Sequence, residues 1–162
     1  FWLLKIYGHR DVRLLDGGRQ KWTAENRPLS VELPAVKPTQ YIAQSPNLDL
    51  RADRDFIMGA LGKADFTFVD ARPEDMYTGE NTAGMLHGGH SDGTFKSIDE
   101  LKVLFAEKGI DQDQNIVTYC VRGGLSTHLW FTLTQLLGYS NVREYDLSWA
   151  EWGNLENALV EK

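Results

Sequence analysis

The chain has 162 residues, 42% of them hydrophobic and 25% charged, which is the usage of one ordinary globular domain rather than of a disordered or fibrous chain. With 17 basic and 23 acidic residues the net charge is -6, the wrong sign for a general binder of phosphate backbones, and the longest apolar runs are too short to span a membrane, so neither nucleic acid nor membrane is an expected partner. A single cysteine, Cys120, excludes an internal disulfide framework and any multi-cysteine zinc site.

The chain opens at Phe1 with no Met and no basic stretch before an apolar core. No targeting segment is visible, a cytoplasmic location is expected, and the start suggests a missing upstream portion. Residues 1–22 align without gaps to residues 131–152, with seven identities: Phe1, Leu3, Gly8, Val12, Arg13, Asp16 and Trp22 match Phe131, Leu133, Gly138, Val142, Arg143, Asp146 and Trp152. Both copies read as an apolar helix ending at Gly, a short strand, Asp, a turn, then Trp. Self-similarity of this kind suggests two copies of one unit. Residues 1–25 are read as the remnant of a first unit. Residues 26–45 are read as a linker, since Pro28, Pro34 and Pro38 punctuate this stretch and Pro46 follows it. Residues 46–162 are the nearly whole second unit.

Along that unit the signals alternate. Leu50, Phe56, Ile57, Ala60 and Leu61 predict a helix over 49–61. Residues 66–69 predict a strand ending at Asp70. Ser97 and Glu100 form a capping box, followed by an apolar face of Ile98, Leu101, Leu104 and Phe105 and a stop at Gly109. Residues 115–119 predict a strand ending at Cys120. Leu129, Trp130, Leu133, Leu136 and Leu137 predict a helix over 126–137, stopped by Gly138. Residues 142–145 predict a third strand, ending at Asp146, and Ser148 with Glu151 predicts another capping box. Strands alternating with helices predict an α/β fold with a parallel sheet flanked by helices on both faces. Trp22, Trp130 and Trp152 read as core or domain-packing residues, Arg13 and Arg143 as solvated, and Asp146 as a cap for its turn.

Ligands of an open parallel sheet bind beyond the carboxyl ends of its strands. Asp70, Cys120 and Asp146 stand there. Cys120 is followed by Val121-Arg122-Gly123-Gly124-Leu125-Ser126 and a helix start. Paired glycines let successive N–H groups curl around one point, and the helix terminus adds partial positive charge. A thiol in such a cradle, with Arg122 nearby, is expected to ionise readily. A buried structural cysteine is the bland alternative. A phosphatase loop would place an Arg where Ser126 stands, which disfavours phosphoryl transfer. His9, His87, His90 and His128 are not placed as partners of a nucleophile. His87 and His90 alone are a weak metal signal, better read as a solvated loop, so no metal and no cofactor is expected.

Residues 68–80, 92–110 and 117–154 resemble the C-terminal, catalytic domain of the tandem rhodanese (thiosulfate sulfurtransferase) family, and residues 1–22 resemble the end of its N-terminal, non-catalytic domain. The resemblance implies a rhodanese-like fold with a remnant of a second domain of the same type. It implies that Cys120 is the nucleophile that carries a persulfide, with Val121, Arg122, Gly123, Gly124, Leu125 and Ser126 as the loop around the sulfur. Asp70 and Arg72 match a supporting Asp-x-Arg pair, and Trp149 matches an aromatic near the pocket. The implied partners are a small-molecule sulfur donor and acceptor, or a protein thiol as acceptor, on a monomeric protein. A mercaptopyruvate donor and a non-catalytic rhodanese-like interaction module are the alternatives. The chain departs from the family at Val121, where many relatives carry Arg or Gly, and at Leu125, where relatives place Arg or Thr. It departs at Leu147, where a Gly is usual and a positive φ would strain the turn. It also lacks a stretch near residues 87–92, an apparent internal gap.

Overall fold

The computed structural model describes residues 1–72, 77, 93–156, 158 and 159. The internal gap, His87 and His90 lie outside the described residues. Among the described residues, three strands form a parallel sheet in the order β1 (Phe66–Asp70), β2 (Asn115–Tyr119), β3 (Val142–Glu144). Phe66 pairs with Asn115 and Asp70 with Tyr119, while Ile116 pairs with Val142. Parallel neighbours need crossovers, and helices supply them. The described helices are α1 (Trp2–Ile6), α2 (Gly18–Ala24), α3 (Arg54–Ala60), α4 (Ile98–Glu107), α5 (Gly124–Phe131) and α6 (Ser148–Trp152).

Alternation along β2 divides the core in two. Ile116 joins Trp2, Ile6, Leu101, Phe105, Trp130, Leu133 and Val142 on the face covered by α1, α4 and α5. Val117 joins Ala52, Ile57, Tyr145 and Trp152 on the face covered by α3 and α6. The α/β architecture with helices on both faces is therefore as expected. Trp130 and Trp152 are core residues, whereas Trp22 is half-buried and donates from Nε1 to the Pro28 carbonyl at 3.0 Å. Among the described residues, no helix is long and apolar enough to cross a membrane.

Several elements differ from their expected forms. The helix over 49–61 is broken into a 3-10 turn (Leu48–Leu50) and α3, because Asp53 leaves the helical region to cap α3, its side chain accepting the Phe56 N–H at 2.8 Å. Between them, Arg51 bridges Glu144 in parallel and Ala52 N–H donates to the Glu144 carbonyl at 2.9 Å, extending the sheet beyond β3. Ile98, placed on the apolar face of α4, is 50% exposed, although the Ser97–Glu100 capping box is formed in full. The helix over 126–137 begins at Gly124 and passes into a π-helical segment (Thr132–Leu136), where the hydroxyls of Thr132 and Thr134 donate back to the carbonyls of His128 and Trp130.

Residues 9–15 form no strand. The segment is nonetheless docked. Trp2 Nε1 donates to the Leu50 carbonyl at 3.1 Å, Phe1 packs edge-on to Phe131 with centroids 4.8 Å apart, and the Asp16 carboxylate accepts the Phe95 N–H at 2.9 Å. Residues 23–49 are exposed throughout.

Candidate active site

Cys120 lies one residue beyond β2, at the carboxyl end of the sheet's central strand, and is 2% exposed. The chain then turns through Val121 and Arg122 to Gly123, which has φ 79° and serves as the N-cap of α5. A Cβ at Gly123 would stand 2.6 Å from the Asp146 carbonyl oxygen, so the loop can close against the β3–α6 turn only with glycine there. The closure is fastened by backbone bonds. Trp149 N–H donates to the Cys120 carbonyl at 3.0 Å and Ala150 N–H to the Val121 carbonyl at 2.9 Å.

Burial alone would push the thiol of Cys120 up. It lies below its ordinary value instead, because the Ser126 hydroxyl and the N–H groups of Ser126, Arg122 and Leu125 all reach the sulfur. Arg122 is exposed, and the contribution it makes to the sulfur runs through its backbone N–H. Leu125 and Val121 are half-buried, and Gly124 is exposed.

At the end of β1, opposite Tyr119 of β2, stands a second polar group. Asp70 and Arg72 form a nearly buried pair: Arg72 Nη2 stands 2.6 Å and Nε 2.8 Å from Asp70 Oδ2, and Arg72 N–H donates to Asp70 Oδ1 at 2.9 Å. Burial works against the Arg72 charge, but the hydrogen bonds to Asp70 more than offset it and hold the guanidinium protonated. The same guanidinium lies over the half-buried Trp149 ring at 4.7 Å and near Tyr77 at 5.7 Å. The structure thus brings Asp70, Arg72 and Trp149 together as one stack.

The β3–α6 turn departs from its expected form. Ser148 does not cap α6. It adopts φ 52°, and its hydroxyl donates to the Tyr145 carbonyl at 2.7 Å and accepts the Cys120 N–H at 3.1 Å. Glu151, the supposed partner in the box, accepts instead from the Tyr145 hydroxyl at 2.6 Å. Leu147 carries no strain, since its φ is -75° and the positive φ falls on Ser148. Asp146 pairs with Arg51 at 2.7 Å rather than capping the turn. Arg143 is half-buried, donating to the Leu48 and Arg51 carbonyls and lying 4.7 Å over Phe56.

Sequence reasoning missed Ser148 as a support of the Cys120 backbone, and it missed Glu144. Glu144 is fully buried, with Ser126 donating to its Oε1 and Thr118 to its Oε2. A signal was present: by period-two alternation Glu144 shares the inward face of Val142. His9 lies against Tyr41, and His128 stacks on Phe95 with centroids 4.8 Å apart. Among the described residues no group of three or more His, Cys, Asp or Glu is placed to hold a metal ion.

A three-stranded parallel sheet with a cysteine in an N–H-lined loop at its carboxyl end defines an α/β protein built around one activated thiol. Residues 53–155 match the family described as rhodanese-like domain, and the chain belongs to that family. It is 40% identical over 182 residues to a protein of Mycolicibacterium smegmatis named "Putative thiosulfate sulfurtransferase", an alignment covering 99% of this chain and 65% of that protein. It is 40% identical over 188 residues to the "Sulfur carrier protein TtuD" of Thermus thermophilus, covering 100% of this chain and 65% of that protein. The chain thus spans about two thirds of the length of these relatives. Among solved structures, the anaerobic ergothioneine biosynthesis enzyme of Chlorobium limicola, in complex with trimethyl histidine, shares the fold at a TM-score of 0.87 and 24% identity over 99% of this chain and 44% of that one.

Proposed function

We propose that this protein is a sulfurtransferase that takes sulfane sulfur from thiosulfate onto Cys120 and hands it to a thiophilic acceptor, cyanide or a thiol. The observation that carries this reading is a buried thiol whose ionisation is favoured by three converging N–H groups and a hydroxyl. In the first step the Cys120 thiolate attacks the outer sulfur of thiosulfate. A new S–S bond forms, the old one breaks, and sulfite leaves with its electron pair. The product is a persulfide anion, held by the same donors. In the second step the acceptor attacks the outer sulfur and the Cys120 thiolate is the leaving group. Asp70 and Arg72 hold the wall of the pocket, with Trp149 stacked on the guanidinium. Arg72 is engaged by Asp70, and this argues against its use as the carboxylate clamp of a mercaptopyruvate enzyme. The naming of a relative as a sulfur carrier supports a protein thiol among the acceptors. Residues 1–25 are in this reading the tail of a first rhodanese-like unit, 26–45 a linker and 46–162 the catalytic unit.

The test is thiosulfate:cyanide sulfur transfer, with mass spectrometry of the thiosulfate-treated protein. Thiocyanate should form, Cys120 should gain one sulfur atom, and both signals should vanish in Cys120→Ser. No sulfur adduct from thiosulfate or mercaptopyruvate would overturn the enzyme reading in favour of a non-catalytic interaction module.

A further inference from the structure

Glu144 is a carboxyl group with no access to water, set behind the loop that surrounds the thiol. Its two oxygens meet two different hydroxyls, Ser126 on one side and Thr118 on the other. Ser126 is also the residue whose hydroxyl reaches Cys120. A serine hydroxyl carries one hydrogen and can donate to one acceptor at a time. It cannot serve an ionised Glu144 and an ionised Cys120 together.

We propose that Glu144 is a positioning residue for the Cys120 thiolate: in its protonated form it donates to the Ser126 oxygen, which frees the Ser126 hydrogen for the sulfur. The chain of donors then runs from Thr118 O–H to Glu144 Oε2, from Glu144 Oε1–H to Ser126 Oγ, and from Ser126 O–H to the sulfur anion. Every hydrogen has one acceptor and no proton is transferred. When Glu144 ionises, Ser126 turns to the carboxylate. The sulfur loses a donor and gains a neighbouring negative charge.

The surroundings favour the protonated form. Burial pushes the Glu144 carboxyl up to about 8, against the bonds from Ser126 and Thr118, and the charges of Cys120 and Asp146 act in the same direction as burial. Among the described residues, no cation compensates from the neighbouring elements. Arg51 is committed to Asp146. Arg143 lies over Phe56, on the other face of the sheet, and meets Asp49 at 3.3 Å. On α5, His128 is exposed and stacked on Phe95. The two titrations are therefore coupled, and protons leave the pair in two macroscopic steps.

The proposal rests on the sulfurtransferase reading for its purpose but not for its test. The rate of Cys120 alkylation by iodoacetamide, a neutral reagent, is followed against pH, with sulfur loading from thiosulfate measured in parallel. The wild type should show two inflections, the upper one near the Glu144 midpoint. Glu144→Gln keeps a donor toward Ser126 without titrating, so it should show one inflection. Glu144→Leu removes the acceptor that competes for the Ser126 hydrogen and cannot titrate, so it too should show one inflection. Thr118→Val removes a bond that favours the carboxylate, so the upper inflection should move upward, and this variant tests the proposal even if the Glu144 variants fail to fold. Two inflections at unchanged positions in Glu144→Gln, or an unmoved upper inflection in Thr118→Val, would overturn it. Expected inflections without sulfur loading in any variant would instead overturn the sulfurtransferase reading and leave this one standing.

Discussion

A thiol as deeply buried as Cys120 would be hard to ionise if burial decided the matter, and the direction of its shift shows that converging donors outweigh desolvation. Most of these donors are backbone N–H groups, so the identity of Leu125 matters little to the sulfur itself. It matters to what approaches. A half-buried leucine at the mouth of the loop gives a doubly charged donor nothing to pair with, and Arg72, the nearby buried cation, is held by Asp70. Leu125→Arg should therefore improve thiosulfate binding. A partly exposed charge pair is worth about 1 kcal/mol, which corresponds to a fall in KM of about fivefold, with kcat little changed. The gain should shrink as salt is raised, because an exposed pair is screened. Steady-state kinetics at two ionic strengths check this, and an unchanged KM at low salt would mean that position 125 does not face the donor.

The cradle is a property of two elements meeting, the Cys120–Gly123 loop and the β3–α6 turn. Gly123 is the point of contact, with φ 79° and no space for a side chain against the Asp146 carbonyl. Gly123→Ala should destabilise the protein by about 2 kcal/mol, from left-handed backbone plus displacement of the turn, and should return the thiol midpoint toward its ordinary value as the N–H groups swing off the sulfur. Denaturant unfolding and the pH dependence of alkylation read these two effects separately. This half of the site was legible in the sequence, because Gly-Gly between a strand and a helix start is a local pattern with a local cause. The other half was not. Ser148 and Glu151 match a capping box in spacing, yet the Ser148 hydroxyl is taken by the Tyr145 carbonyl and by the N–H of Cys120, 28 residues away in sequence. Pattern cannot show that a side chain already has a distant partner. The break at Arg51–Asp53 has the same origin, since the edge of β3 captures Ala52 and interrupts a helical period that the residues themselves allow. Glu144 lies between these cases, its inward position readable from strand alternation but its hydroxyl partners set only by tertiary packing.

At the scale of the whole molecule, the two buried titratable groups of the site pull stability in opposite directions with pH. Glu144 has its carboxyl raised from 4.5 to about 8 in the fold, so the native state holds a proton that the unfolded chain releases across that interval. Its contribution to stability is fully present below about pH 4.5 and is lost as pH rises through about 8. Cys120 is lowered from 9.0, so the unfolded chain holds the proton longer, and its contribution grows as pH rises through the native midpoint toward 9.0. Tyr119 and Tyr145 are raised above 10.0 and titrate outside this window. Between about pH 5 and 8 the native state of the wild type should therefore lose stability relative to Glu144→Gln as pH rises. Cys120→Ser, which removes the compensating thiol, should make the decline steeper than in the wild type. The comparison is of slopes of Tm against pH rather than of Tm values, so a constant packing penalty in either variant cancels. Parallel slopes for wild type and Glu144→Gln would show that Glu144 ionises in the fold as it does in the unfolded chain, and that its burial is relieved by water reaching the carboxyl.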